Sequence, residues 1–280
     1  MADLYNRDIR IIAGPLTIEP RTAAGESQPM LALEFDVSKS LASTPNTATL
    51  SIWNLRSENR SKLQEKGLEV TIEAGYVSEI VQIFKGDIDA STISRDSVNW
   101  VTRLELTDGG KALKSARINQ SFRGGQSVGQ MLQKAAEALG LDTGNLADKV
   151  KTDGARSALK ELVSGVVLSG SASDVVEDLA ASMGLKFSVQ DKKLSFLAKG
   201  EASSEPAIQL DSATGLLGSP SIGEKGVIRA QSLLNGRITP GRRVSLSSAV
   251  ATGTFITKSL KHKGATWGDA WTTELELAES

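Results

Sequence analysis

Cysteine is absent from the 280 residues, and histidine occurs once, as His262. The missing thiols exclude a disulfide framework, thiol chemistry and a zinc site built on cysteine. A single histidine cannot form a histidine cluster around a metal ion. Aromatic residues make up only 4% of the chain, whereas glycine alone contributes 26 residues. We therefore expect no metal and no other cofactor. The low aromatic content and the many small residues suit β-structure with large paired surfaces.

The chain also lacks an excess of charge and any long apolar run. Lysine and arginine total 32 against 33 acidic residues, which leaves a net charge of −1. This balance argues against a protein that wraps nucleic acid, because such binding needs a basic face. It does not exclude a channel through which nucleic acid passes. Residues 1–12 hold no apolar run of signal-peptide length, and no stretch approaches the ~18 apolar residues of a membrane span. We expect a soluble protein, made in the cytoplasm, without a membrane anchor.

Residues 46–63 carry the most informative pattern of the first half. Apolar and polar residues alternate over 48–52, which predicts a strand that ends at Trp53 and Leu55. Ser57 is placed to cap a short polar helix directly after the strand. We expect the side chains of Trp53 and Leu55 to be mostly buried at this corner between strand and helix.

Other alternating segments surround this corner and predict a small barrel or sandwich of six or so strands over residues 1–110. Residues 111–205 change to a helical period, which predicts an inserted α+β domain that ends in a polar linker. Alternation returns over residues 206–280, where Asn235-Gly236 is a strong signal for a hairpin turn. The fold class is therefore α+β and mostly β.

Two helices of the inserted domain are predicted by their capping residues. Ser127 and Gln130 have the spacing of a capping box before the first helix. Ser171 and Asp174 take the same roles before the second helix. A β-hairpin with its turn near Asp191 follows the second helix.

Short motifs at both ends of the chain resemble phage tail and baseplate hub proteins. The first motif is Ile52–Leu55, followed by a polar turn and Arg-x-x-Leu. The second is a series in fixed order near the other end: Pro240-Gly241, Val244, Gly253–Ile256, Lys261-His262 and Trp271–Thr273. With the insert between them, these motifs extend the resemblance over most of the chain, although the helices of the insert carry no signature of the family.

The resemblance implies two small tube-type β-barrels, at 1–110 and 206–280, that flank the inserted domain at 111–205. Three chains would then form a homotrimeric ring of six barrels that matches the six-fold tail tube. The implied partners are a tail tube or tube-initiator protein, a spike or tail-tip protein and other baseplate proteins, with DNA only as passing cargo. The protein would belong to the phage virion after assembly in the bacterial host cytoplasm. Two alternatives are a peptidoglycan- or glycan-active tail-tip protein and the spike base of a contractile injection or secretion machine.

Residues that invite a chemical interpretation have simpler explanations. His262 has no serine or cysteine nucleophile motif beside it, and we interpret it as a turn-flanking residue whose positive neighbours disfavour its charged form. Gly109-Gly110 and Gly124-Gly125 lack a following Gly-Lys-Ser/Thr and are interpreted as turn glycines. We interpret Trp267 and Trp271 as residues that straddle a turn and anchor the last strand, and the alternative is a sugar-stacking platform. We expect no catalytic, cofactor-binding or metal-binding residue.

A channel that passes cargo should not hold it. We therefore expect its wall to be polar and neutral or weakly acidic, because a strongly basic wall would grip phosphates. The candidate wall positions are alternating residues of two strands: Glu69, Thr71, Glu73, Glu274 and Glu276. The residues between them are expected to form the barrel cores: Leu68, Val70, Ile72, Leu275 and Leu277.

Overall fold

The computed structural model describes residues 6–19, 31–152 and 165–279. The chain divides into two compact units. Unit one consists of Met1–Ser40, Thr47–Asp108 and Ala202–Ser280, and unit two consists of Leu41–Asn46 and Gly109–Glu201. None of the helices in the described part is long and apolar enough to cross a membrane.

Most of the regular structure consists of β-strands. The strands, numbered in chain order, are β1 Arg7–Ala13, β2 Leu16–Ile18, β3 Leu33–Ser40, β4 Thr47–Trp53, β5 Glu69–Tyr76, β6 Glu79–Asp96, β7 Asn99–Thr107, β8 Arg117–Phe122, β9 Val166–Ser171, β10 Leu185–Gln190, β11 Lys193–Ala198, β12 Ile208–Leu210, β13 Leu216–Ile222, β14 Ile228–Leu233, β15 Arg243–Ser247, β16 Thr252–Ala265 and β17 Trp271–Glu279. The α-helices are α1 Ser57–Lys62, α2 Gly110–Ser115, α3 Val128–Ala138, α4 Leu146–Thr152 and α5 Ala172–Ser182, with a short 3-10 helix at Glu224–Gly226.

The strands of unit one form a 13-stranded sheet in the order β13-β14-β17-β16-β3-β4-β7-β6-β5-β1-β2. In addition, β15 pairs with β16, and β12 pairs parallel with β15. One edge of the long β16 is shared, because residues 252–256 pair with β15 and residues 259–265 pair with β3. The ladder therefore continues from the late strands into the early ones, and no ladder among the described residues closes either of the two predicted barrels.

Unit one nevertheless has two hydrophobic cores, which the strand alternation builds. The first core is formed mainly by β1 and β3–β7, and the second is formed by residues of β12 and β14–β17 and of the loops between them. Val70 and Ile72 are fully buried in the first core, with Leu68 packed against it, and Leu275 and Leu277 are buried in the second. The predicted inward positions are confirmed.

The corner after β4 differs from the prediction in two respects. Leu55 is buried as expected, but Trp53 is only half-buried, because it lies on the opposite face of the strand from the buried Ile52. The helix α1 starts one residue earlier than expected, with Arg56 at the N-cap position and no side-chain cap. Asn54 takes a left-handed conformation, with φ of 56°, which turns the chain into the helix before Ser57. The predicted Ser57 cap is therefore wrong.

The predicted hairpin at Asn235-Gly236 is also wrong. The strand before it, β14, pairs with β13 and β17, whereas the strand after it, β15, pairs with β12 and β16. Glycine is required here for another reason. A Cβ atom on Gly236 would lie 2.5 Å from Cγ2 of Val81 and 2.6 Å from Cγ2 of Ile83. The turn signal in the sequence thus marks a close approach to β6.

Unit two has its own core, built by α3, α5 and two small antiparallel sheets, β8-β9 and β10-β11. The capping box before α3 is confirmed, since Ser127 and Gln130 exchange both expected hydrogen bonds. Ser171 is the N-cap residue of α5, but its side chain makes no cap hydrogen bond. The β10-β11 hairpin is also confirmed, with Asp191 and Lys192 both left-handed at its turn.

Candidate functional surface

The acidic residues predicted to line a channel all point away from the cores, and each has a basic partner. The carboxylates lie 2.6–3.2 Å from the nearest basic nitrogen atoms. The four pairs are Glu69–Lys85, Glu73–Arg10, Glu274–Lys263 and Glu276–Arg229, and we call these eight residues the charge-paired face. Thr71 lies half-exposed between Glu69 and Glu73. The acidic positions predicted from alternation therefore form a polar but electrically balanced surface.

Strand register explains why these charges meet. Glu274 pairs with Lys261 across β16-β17, so its carboxylate reaches diagonally to Lys263 on the same face. The hydrogen bond to Glu274 raises the pKa of Lys263. Lys261 in turn forms an ion pair of 2.8 Å with Asp36 on β3. The ladder of alternating charges thus runs from the late strands into the early strands of the sheet.

Glu276 is held from both neighbouring strands, β14 and β16. Its carboxylate accepts hydrogen bonds from Oγ of Ser259 at 2.9 Å and Nε of Arg229 at 3.1 Å. These bonds, that from Ser259 first, lower the pKa of Glu276 below its usual range. The carboxylate is consequently ionised throughout the neutral range, and the positive charge of Arg229 balances its negative charge.

His262 is not the turn-flanking residue that was predicted. It lies in the middle of β16 with its ring 1% exposed, and its Nδ1 is 2.9 Å from Oγ1 of Thr273. That hydroxyl also accepts from the backbone N–H of Asn235, which leaves its proton for Nδ1 and suits a neutral ring. Burial lowers the pKa of His262 to about 3, and the charge of the buried Lys39 adds to this shift. The expected direction is confirmed, but the sequence neighbours of His262 are not its cause.

Lys39 is a buried residue that the sequence interpretation missed. It is only 3% exposed, and its Nζ lies 3.5 Å from the carbonyl oxygen of Ile83. The signal was present in β3, where Leu33, Phe35, Val37 and Lys39 occupy alternate inward positions. Neither Lys39 nor His262 is accessible to a substrate, because both side chains are buried in the interior of unit one.

The two late tryptophans have different environments, as expected for residues on either side of a turn. Trp271 is 2% exposed at the start of β17 and packs edge-on against Phe35 and Tyr76, with ring centroids 5.9 and 6.3 Å apart. Trp267 is 61% exposed in the turn between β16 and β17. Trp271 therefore anchors the last strand, and the two rings do not form a joint platform.

In each of the two glycine pairs, one glycine has the left-handed backbone conformation of a turn residue. Gly109 has φ of +69° and precedes α2, and Gly125 has φ of +85° in the turn before α3. Within the described ranges, no group of three or more histidine or acidic side chains is placed to hold a metal ion.

Comparisons with known proteins agree with this architecture. Residues 22–276 match the family described as baseplate hub gp41. No curated protein sequence gives a significant match. The fold is similar to that of the 43 kDa tail protein of prophage MuSo2 from Shewanella oneidensis, with a TM-score of 0.66 at 10% identity, covering 98% of this chain and 97% of that protein.

Two further solved structures share the fold. A tail protein from Neisseria meningitidis MC58 has a TM-score of 0.65 at 11% identity, and the match covers 99% of this chain and 97% of that protein. The other is an E. coli protein that is described as a component of the type VI secretion system with structural similarity to T4 bacteriophage tail proteins gp27 and gp5. Its TM-score is 0.55 at 11% identity, and the match covers 96% of this chain and 76% of that protein. At these identities the likeness concerns the fold alone. Because the family match spans most of the sequence, this chain belongs to the baseplate hub gp41 family of phage tail proteins.

Proposed function

We propose that the chain is the structural hub of a phage tail or baseplate and acts as a homotrimeric ring. The ring joins the tail tube, or a tube-initiator protein, to a spike or tail-tip protein, contacts other baseplate proteins and forms part of the channel for genome passage. It works in the virion after assembly in the host cytoplasm. The role is mechanical and not enzymatic, in keeping with a family of structural hub proteins.

The charge-paired face is the observation that carries the channel proposal. A basic wall would hold the phosphates of a passing genome, with about one counterion released for each contact. Lys85, Arg10, Lys263 and Arg229 are instead each matched by a carboxylate of the same face. Such a wall neither attracts nor strongly repels DNA, which is the property that a passage needs.

The two cores of unit one support the proposed domain order. The first core draws almost entirely on residues before 110, and the second draws on residues 208–277. We assign residues 1–110 and 206–280 to two tube-type domains and residues 111–205 to the insert between them. Three chains then supply the six tube-type domains of one ring.

Light scattering on the purified chain tests the ring. At tens of micromolar, a concentration at which roughly micromolar affinities populate the complex, we expect three times the 29.6 kDa mass of one chain. A monomer in the presence of the neighbouring tube protein would contradict the ring. Clearing of cell-wall material by the purified protein in a zymogram would contradict a purely structural role.

Duplex DNA at low salt tests the wall separately. We expect weak binding by the native chain, because its basic residues on the charge-paired face are matched. The double variant Glu274→Gln, Glu276→Gln frees Lys263 and Arg229 and should bind DNA more tightly, with the salt slope steeper by about one per freed cation. Glu137→Gln is the matched control, because it frees Lys134 on α3 from a 2.8 Å pair in unit two. Tight, steeply salt-dependent binding by the native chain would overturn the neutral-wall argument.

A further inference from the structure

One end of the sheet in unit one holds a groove of about 360 Å³. Trp53 and Trp267 line it together with Asn54, Asn99 and Glu34, and the lining is completed by Ala32, Leu33 and Ala265. Its volume lies within the roughly 300–1,000 Å³ range of ligand pockets. The set combines two indole rings with a few polar groups.

The walls of the groove are fixed by tertiary hydrogen bonds. The turn that carries Trp267 is held because Leu33 N–H donates to Oγ1 of Thr266 at 2.9 Å and Nη1 of Arg7 donates to the carbonyl of Gly268 at 2.7 Å. The backbone N–H of Trp53 donates to the carbonyl of Ala32. Both tryptophan backbones are thus anchored to the sheet, and a ligand would find the groove largely formed.

The amide side of the groove is also preorganised. Asn54 keeps its left-handed backbone because its Oδ1 accepts from Trp100 N–H at 3.0 Å and its Nδ2 donates to Oδ1 of Asn99 at 2.8 Å. Asn99 uses its Oδ1 to accept this bond, and its Nδ2 group donates to none of the described residues. Glu34 is exposed and forms no ion pair within the described part of the chain. The groove therefore offers amide donors and an uncompensated negative charge.

We propose that this groove binds an uncharged pyranose sugar of a bacterial glycan, with the Trp267 ring as the stacking surface. A pyranose has an apolar C–H face that packs on an indole ring, and hydroxyl groups that both donate and accept hydrogen bonds. The hydroxyls accept from Asn99 and donate to Glu34. The Glu34 carboxylate disfavours acidic sugars, since like charges would be brought together. The required ligand chemistry is thus a neutral sugar ring, whether it comes from the cell wall or from a surface polysaccharide.

Isothermal titration calorimetry of the full chain with small sugars tests the site. The probes are tri-N-acetylchitotriose for the cell-wall source, maltotriose for a neutral surface polysaccharide and trigalacturonate as the acidic comparison. We expect saturable binding of at least one neutral sugar and much weaker binding of trigalacturonate. Absence of binding by both neutral probes at millimolar concentration, or stronger binding of the acidic probe, would overturn the proposal.

Two variants and a matched control assign the binding to the groove. Trp267→Ala should weaken binding of the neutral sugar about tenfold or more through loss of the stacking surface, and the fold should be unaffected because the side chain is 61% exposed. Trp100→Ala removes a tryptophan that is 42% exposed and does not line the groove, and should leave affinity within about twofold. Glu34→Gln should reduce the discrimination against trigalacturonate. Unchanged affinity in Trp267→Ala would refute the site, whatever the outcome of the ring experiments.

Discussion

At the scale of single residues, the buried His262 links stability to pH. Its pKa is about 3 in the folded chain against an ordinary value of 6.5. Between these values the unfolded chain binds a proton that the folded chain rejects. Stability is therefore complete above pH 6.5 and falls as the pH drops toward 3, by at most about 1.4 kcal/mol per pH unit.

Denaturant titrations of wild type and His262→Gln measure this effect. Glutamine keeps a polar partner for Thr273 but does not titrate. From pH 7 to pH 5 we expect wild type to lose about 2 kcal/mol more unfolding free energy than the variant. Carboxylates that titrate at lower pH are common to both proteins and cancel in the difference. Parallel pH profiles would show that His262 takes up its proton as readily in the folded chain as in the unfolded chain, in conflict with its burial.

At the scale of elements, the two helices of unit two offer a direct comparison of capping. Oγ of Ser127 accepts from the backbone N–H of Gln130, and Oε1 of Gln130 accepts from the backbone N–H of Ser127. Ser127→Ala should lower the free energy of unfolding by about 1 kcal/mol, within the range of 0.5–2 for lost caps. Thermal or urea unfolding monitored by circular dichroism would measure this loss.

Ser171→Ala is the matched control at the start of α5. The side chain of Ser171 lies 2.9 Å from Oγ of Ser173 and makes no cap bond to the helix backbone. Its replacement should therefore cost less than that of Ser127. Equal losses would mean that the serine side chain caps both helices in solution. The two helices look alike in sequence, so only the geometry distinguishes them.

At the scale of the whole molecule, Gly264 joins the early strands of unit one to the late ones. It pairs with Phe35 on β3 and with Trp271 on β17, and the two rings meet over it. A Cβ atom here would lie 2.3 Å from Cζ of Phe35 and 3.0 Å from Cε3 of Trp271. Gly264→Ala should therefore destabilise unit one by about 1–3 kcal/mol, the usual cost of overpacking.

Lys263→Ala provides the comparison from the adjacent outward position of the same strand. It removes a partly exposed ion pair with Glu274, which should cost only about 0–1 kcal/mol. Urea unfolding followed by tryptophan fluorescence measures both variants. A Gly264→Ala protein as stable as wild type would mean that the junction between early and late strands has room to relax.

Local sequence patterns determined the parts of this protein that depend on neighbours in the chain. The alternation around Val70 and Leu275 placed them in cores, the Ser127 capping box defined a helix start, and the short motifs at both ends identified the hub family. These features follow from the two-residue period of strands and from the hydrogen bonds of helix ends, which are local properties.

Tertiary structure decided whatever depends on residues far apart in the chain. The shared edge of β16 makes one sheet out of two β-regions, and the approach of Val81 fixes Gly236 as a glycine without a hairpin. His262 is neutral because β16 buries it near Lys39, and Trp53 lies beside Trp267 because the sheet brings their strand ends together. Pairing between strands and burial are set by long-range packing, which overrides local preference.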